Sequence, residues 1–124
     1  MPLIKLHMSA DTHISDPKLL ITEIREAIVQ VLGIPENIGQ VILYDTPRDY
    51  RCIHEGRNID FVFVEIIMYP GRSTQIKKAL MERITALVQK HTGVEGPDIN
   101  CFINEISADN WFSGTSHRYI EGLS

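Results

Sequence analysis

Cysteine is scarce in this sequence. Cys52 and Cys101 are the only two in 124 residues, and they lie far apart without forming a C-x-x-C pair. Small secreted domains that rely on disulfides carry far more cysteine, and a structural zinc site draws its ligands from paired motifs. Cys52 and His54 have no second ligand pair beside them in the sequence. We therefore expect two reduced thiols, no disulfide framework and no metal site.

Long hydrophobic runs are absent as well. No stretch approaches the roughly 18 apolar residues that a membrane-spanning helix needs. The residues after Met1 also lack the basic and apolar regions of a signal peptide. These absences predict a cytoplasmic protein with no membrane partner.

An excess of positive charge is missing too. Twelve Lys and Arg residues stand against sixteen Asp and Glu residues, which gives a formal net charge of −4. A nucleic-acid partner requires a basic surface that neutralises phosphates, so none is expected. The sequence carries no Gly-rich phosphate loop, dinucleotide fingerprint or Ser-centred elbow, and its five histidines lack ligand spacing. The histidines are therefore assigned no role.

The sequence does contain an internal repeat. Ala-Ile-Val-Gln at residues 27–30 reappears as Ala-Leu-Val-Gln at residues 86–89, and Gly-Ile at residues 33–34 reappears as Gly-Val at residues 93–94. A chain of this length suits one domain.

We therefore predict a single domain over residues 1–124 that contains two copies of one plan. The copies cover residues 2–56 and 60–114, and a C-terminal strand follows at residues 115–124.

Each copy is predicted to form a strand, a helix and a second strand. Short apolar strands are predicted at residues 2–8 and 61–68, and again after each helix at residues 40–44 and 99–103. Apolar residues at helical spacing mark the two helices between them. These residues are Leu20, Ile24, Ala27, Ile28 and Val31 in the first helix, and Ile76, Leu80, Ile84, Leu87 and Val88 in the second.

The helix ends are marked by capping residues. Asp16-Pro17 is typical of a start, and so is Ser73 or Thr74 in the second copy. Gly33 and Gly93 are placed to end the helices in the left-handed conformation.

Two β-α-β units with right-handed crossovers make the strands of each unit parallel. The predicted fold class is α/β (α+β), a four-stranded mixed sheet with two helices on one face. A short hairpin at residues 51–54 and the C-terminal strand complete it. The other face of such a sheet is open and apolar, so we expect it to associate with further copies of the chain.

These features resemble the tautomerase superfamily in its fused, two-unit, 4-oxalocrotonate tautomerase-like form. The resemblance rests on Met1-Pro2 opening a strand and on Pro-Gly-Arg-Ser at residues 70–73 between a strand and a helix. Residues 108–114 (Ala-Asp-Asn-Trp-Phe-Ser-Gly) and 118–123 (Arg-Tyr-Ile-Glu-Gly-Leu) resemble the malonate semialdehyde decarboxylase branch most. The resemblance implies a homotrimer, a proline-based active site, a small carboxylate substrate and no cofactor.

The resemblance also implies a set of site residues. Pro2, exposed as a secondary amine once Met1 is removed, and Arg72, as a carboxylate anchor, would be catalytic. Further pocket residues would be Arg25, at the place of a histidine in dehalogenase relatives, Glu105, at the place of their late glutamate, and the aromatic residues Tyr69 and Trp111.

The sequence departs from the decarboxylase pattern at two places. Ile38 falls at or near the position of an aspartate in that branch, and Pro70 stands where a second arginine would be. Both departures count against decarboxylation as the native reaction.

Three hypotheses therefore follow. In the first, neutral Pro2 acts as general base in a keto-enol tautomerase on a small 2-oxo acid, because burial disfavours the charged amine. In the second, protonated Pro2 is a general acid in a decarboxylase, hydratase or dehalogenase of a three-carbon acid. In the third, the chain is a non-catalytic trimeric relative that binds carboxylates.

Overall fold

The computed structural model describes residues 2–114 as four strands and two long helices. Their order along the chain is β1 Leu3–Ser9, α1 Pro17–Leu32, β2 Gln40–Thr46, β3 Val62–Met68, α2 Thr74–Thr92 and β4 Ile99–Glu105. Short 3-10 turns lie at Arg48–Tyr50, Gly96–Asp98 and Ala108–Asn110. Each strand-helix-strand unit of the sequence prediction is therefore formed.

The helices begin and end where their capping residues stand. The Asp16 side chain accepts a hydrogen bond of 3.0 Å from the Leu19 amide, and the Ser73 hydroxyl accepts one of 3.2 Å from the Ile76 amide. Gly33 and Gly93 close the helices with φ of +66° and +74°. These caps satisfy amides and carbonyls that a helix end leaves without partners, so local sequence was enough to predict them.

The sheet has the strand order β2-β1-β3-β4. β1 runs parallel to β2, with Leu3 opposite Gln40, and β3 runs parallel to β4. The two units meet at the centre, where β1 and β3 are antiparallel and Leu3 lies opposite Ile67. The start of β1 and the end of β3 therefore lie at the same end of the sheet.

The core lies between the sheet and the helices. Burial alternates along the central strands, as expected for a sheet with one covered face. The buried residues of β3 are Val62, Val64, Ile66 and Met68, and those of α2 are Leu80, Ile84 and Val88. Ile76 was predicted to share this face but is 39% exposed in the first turn of α2. No helix within residues 2–114 is long and apolar enough to cross a membrane.

The predicted hairpin at residues 51–54 is wrong, because the structure shows no strand there. A 3-10 turn at Arg48–Tyr50 comes first, and the Arg51 guanidinium then donates to the backbone oxygens of Ile59 and Phe61. These side-chain hydrogen bonds hold the segment between β2 and β3, where a hairpin would have used backbone hydrogen bonds. The predicted C-terminal strand at residues 115–124 lies outside the described residues.

The second face of the sheet carries a row of stacked rings. Tyr44, His7, Phe63 and Phe102 follow one another across the four strands, with ring centroids 4.8, 4.2 and 6.0 Å apart. Tyr44 and Phe102 remain 41% and 44% exposed. The chain alone therefore leaves an aromatic surface facing solvent, which we call the open face.

Candidate active site

Strand register gathers the predicted site residues at one end of the sheet. Pro2 directly precedes the Leu3–Ile67 pair, and Met68 lies opposite Glu105 in the parallel pair beside it. Tyr69 and Arg72 follow Met68 in the sequence. We call this region the proline end.

Pro2 itself is buried at the start of β1. Proline suits the first position of a strand because it has no amide proton to donate. Its carbonyl accepts a hydrogen bond of 3.1 Å from the Gln40 amide. The backbone of Gly39, which has φ of +100°, lies beside the ring, and a Cβ atom at Gly39 would be 3.7 Å from Pro2 Cγ.

Arg72 stands between a turn and a helix. Gly71 adopts φ of +125°, a conformation that favours glycine, and Ser73 caps α2 immediately afterwards. The Arg72 guanidinium has no hydrogen bond or ion pair to any residue between 2 and 114. A planar cation that lacks an internal partner at a helix start is suited to bind a carboxylate with two parallel hydrogen bonds.

Glu105 is paired, which the sequence did not reveal. Lys77 Nζ lies 3.3 Å from Glu105 Oε1, and both side chains are partly exposed. The pairing depends on how α2 packs beside β4, so no local motif signals Lys77. The Glu105 charge is thus offset, and Lys77 adds a second cation one turn after the Ser73 cap.

The two predicted aromatic residues contact each other. The rings of Tyr69 and Trp111 are 4.9 Å apart between centroids, tilted by 58°, and both residues are partly buried. Trp111 follows the 3-10 turn at Ala108–Asn110, and its amide donates a hydrogen bond of 3.2 Å to the Ala108 oxygen. Together they form an apolar wall at the proline end.

Arg25 contacts backbone at the proline end. From the middle of α1 its Nε donates to the Gly39 oxygen at 3.1 Å, and its Nη2 donates to the Ile38 oxygen at 3.4 Å. The backbone that Arg25 holds, at Ile38 and Gly39, lies beside Pro2. All six predicted site residues are therefore at the proline end. Arg25 reaches it through its hydrogen bonds to the backbone oxygens of Ile38 and Gly39.

Two surface depressions beside Arg25 are lined mainly by α1 side chains, among them Glu26 and Gln30, and their lining includes neither Pro2 nor Arg72. Within residues 2–114, no three His, Cys, Asp or Glu side chains are grouped so as to hold a metal ion. The charged side chains that the described residues place here are those of Arg25, Arg72, Lys77 and Glu105.

Two β-α-β units that share one mixed sheet define the structural class of this chain. A family model described as "Tautomerase enzyme" matches residues 38–114. The chain belongs to this tautomerase family.

Two relatives match this chain over a segment about as long as one β-α-β unit. A probable tautomerase of Bacillus cereus is 38% identical over 52 residues, which are 42% of this chain and 85% of that protein. A 2-hydroxymuconate tautomerase of Comamonas testosteroni is 31% identical over 59 residues, which are 47% of this chain and 94% of that protein.

Solved structures match nearly the whole chain. A malonate semialdehyde decarboxylase inhibited by 3-bromopropiolate has a TM-score of 0.78 at 23% identity, covering 97% of this chain and 95% of that chain. A fused 4-OT wild-type symmetric trimer has a TM-score of 0.80 at 20% identity, covering 91% and 92%. At such identities the similarity establishes the fold, and the predicted four-stranded mixed sheet with two helices is confirmed. The family model confirms the predicted superfamily.

Proposed function

We propose that the protein is a cofactor-free tautomerase of small enol carboxylates and 2-oxo acids, with Pro2 as general base once Met1 is removed. The observation that carries the proposal is the strand register, which brings buried Pro2 and the internally unpaired Arg72 to the same end of the sheet. Membership of the tautomerase family supports the same reaction class.

Pro2 supplies the proton-transfer group. As the first residue it is a secondary amine, whereas behind Met1 it is an amide nitrogen with no basicity. The neutral amine takes the hydroxyl proton of the enol, the C–O bond becomes a carbonyl, and the double-bond electrons move to carbon. That carbon then receives the proton from the ammonium form, so the amine is regenerated. Burial of Pro2 favours the neutral amine between turnovers.

Arg72 supplies the carboxylate anchor. Because Lys77 is paired with Glu105 and Arg25 with backbone oxygens, Arg72 is, among residues 2–114, the arginine of the proline end left for an incoming anion. Tyr69 and Trp111 form the apolar wall against which the rest of the substrate would lie. This favours small monocarboxylates with an apolar substituent.

A homotrimer completes the proposal. The open face exposes the aromatic rings of Tyr44 and Phe102, and fused structural neighbours are described as trimers. A neighbouring subunit would cover this face.

The test is turnover of phenylenolpyruvate by protein whose intact mass shows loss of Met1. Pro2→Ala should lower kcat/KM by at least about a hundredfold, the usual contribution of a general base. Arg72→Ala should raise KM about tenfold or more, because it removes a charge-assisted carboxylate contact.

Arg83→Ala is the matched control. Arg83 is an exposed arginine of α2 whose hydrogen bond goes to Gln30 of α1 and not to a predicted site residue, so its loss should leave both constants unchanged. Pro2→Ala with wild-type turnover would remove the basis of the proposal.

The alternative catalytic function is decarboxylation or hydration with protonated Pro2. A malonate semialdehyde decarboxylase shares the fold of this chain, which favours testing this alternative. The pH dependence separates the two reactions. A base-driven kcat/KM rises with pH through the titration of the amine, whereas an acid-driven one falls. Carboxylate binding that is lost on Arg72→Ala, without turnover of any enol or oxo acid, would instead favour the non-catalytic relative.

A further inference from the structure

We propose that Arg25 is a positioning residue that fixes the Pro2 amine through the backbone of Ile38 and Gly39. This inference rests on the proposed function, because it assigns Arg25 a role toward the catalytic amine. It replaces the substrate contact that the sequence resemblance implied for Arg25.

The first link is a fork of two hydrogen bonds. Arg25 Nε reaches the Gly39 oxygen at 3.1 Å and Nη2 reaches the Ile38 oxygen at 3.4 Å, across thirteen to fourteen residues of sequence. Two donors in one rigid plane hold two consecutive peptide oxygens, which a lysine cannot match. The segment between α1 and β2 is thereby held to the helix.

The second link is the position of Gly39 beside the proline ring. Gly39 is buried with φ of +100°, and a Cβ atom placed there would lie 3.7 Å from Pro2 Cγ and 3.9 Å from Pro2 Cδ. Cδ is bonded directly to the amine nitrogen. The Gln40 amide, one residue further on, bonds the Pro2 carbonyl at 3.1 Å. The segment held by Arg25 therefore lies beside the Pro2 ring and is hydrogen-bonded to the Pro2 backbone.

The consequence is a constraint on the reacting atom. A terminal residue has few neighbours along the chain and would otherwise move relative to the sheet. Small displacements of a catalytic group are costly to rate, because the reacting atoms must lie close together and aligned. Arg25 therefore contributes to kcat without touching the substrate.

The experiment compares Arg25→Ala, Arg25→Lys and Arg83→Ala in phenylenolpyruvate turnover. We expect Arg25→Ala to lower kcat about tenfold while KM changes less than about twofold, since the substrate anchor is intact. The rising limb of the pH–rate profile should move to higher pH, because a less constrained amine is better hydrated. Arg25→Lys keeps the charge but not the fork and should behave like Arg25→Ala. Arg83→Ala should match the wild type.

A second variant tests whether Arg25 acts through the backbone segment at Gly39. Gly39→Ala introduces a side chain at a φ that L-residues rarely adopt, and should disturb the same segment from the other side. If Arg25 acts through this segment, the double variant should lose less than the product of the two single losses.

Several outcomes would overturn the inference. They are a rise in KM without a fall in kcat, full activity of Arg25→Lys, or independent effects of the Arg25 and Gly39 substitutions. The proposed function fails separately, when Pro2→Ala retains wild-type turnover.

Discussion

At the residue scale, the two thiols occupy different environments. Cys52 is exposed in the connector after β2. Cys101 lies partly buried on β4, where burial raises the pKa of its thiol to about 12. Only the thiolate reacts readily, so the two cysteines should differ in chemistry.

We expect alkylation of the native protein by iodoacetamide at pH 8 to modify Cys52 and to spare Cys101. An ordinary thiol has a substantial thiolate fraction at that pH, and a pKa near 12 lowers the fraction by on the order of a thousandfold. Peptide mass spectrometry after timed quenching gives both rates. Equal rates in the native protein would contradict the assigned burial of Cys101, and denaturation should remove the difference.

The residue roles could be predicted only where a local motif marks them. Pro2 and Arg72 stand in short patterns beside a strand start and a helix start, so the sequence alone nominated them. The Lys77–Glu105 pair and the Arg25 bonds join residues far apart in sequence, and the packing of helix on sheet creates them. No spacing rule contains that information.

At the element scale, a polar cluster joins the two helices. Glu23 of α1 lies 2.6 Å from His91 Nε2 and 3.6 Å from Lys90 Nζ, both near the end of α2. The hydrogen bond with His91 and the charge of Lys90 lower the pKa of the Glu23 carboxyl. His91 is mostly buried between the helices, with 9% of its side chain exposed.

We expect Glu23→Gln to make stability less dependent on pH in the acid range. A carboxyl whose folded pKa is lowered stabilises the protein above its unfolded pKa, and that stabilisation is lost as pH falls through the folded value. The wild type should therefore exceed Glu23→Gln in stability at neutral pH, and the difference should begin to narrow as the pH falls to about 4 and below. Urea denaturation at several pH values measures this gap. A gap that stays constant down to pH 3 would exclude the linkage.

The helices were predicted more accurately than the connector. Capping residues act within one turn, so Asp16, Ser73 and both glycines marked the ends correctly. The hairpin expected at residues 51–54 failed because long-range bonds from Arg51 hold that segment. Ile76 fits the helical period but lies in the first turn of α2, where it remains exposed.

At the scale of the whole molecule, the open face is the main unexplained surface. Its ring stack runs across all four strands, with Lys5 and Glu65 paired at 3.7 Å beside it. An exposed aromatic surface of this kind is typical of an interface. Strand order could be predicted within each unit, whereas a partner for this face depends on contacts that a single sequence does not contain.

We expect Phe102→Asp to shift the protein from trimer toward monomer. Phe102 is 44% exposed on β4 at the edge of the stack, so a charge there opposes association while leaving the core intact. Leu19→Asp is the control, because Leu19 is 47% exposed on α1, in the helix layer. Sedimentation velocity should find three copies of the 14.1 kDa chain in the wild type and in the control. A trimeric Phe102→Asp would place the interface elsewhere.

The central claim is that a free amine on Pro2 is the catalytic base. The most direct measurement compares phenylenolpyruvate turnover by the protein that begins at Pro2 with turnover by the same protein carrying one residue before Pro2. We predict activity only in the form that begins at Pro2, with unchanged circular dichroism and sedimentation in both forms. Equal turnover by the two forms would contradict the account, because an amide nitrogen cannot accept the proton.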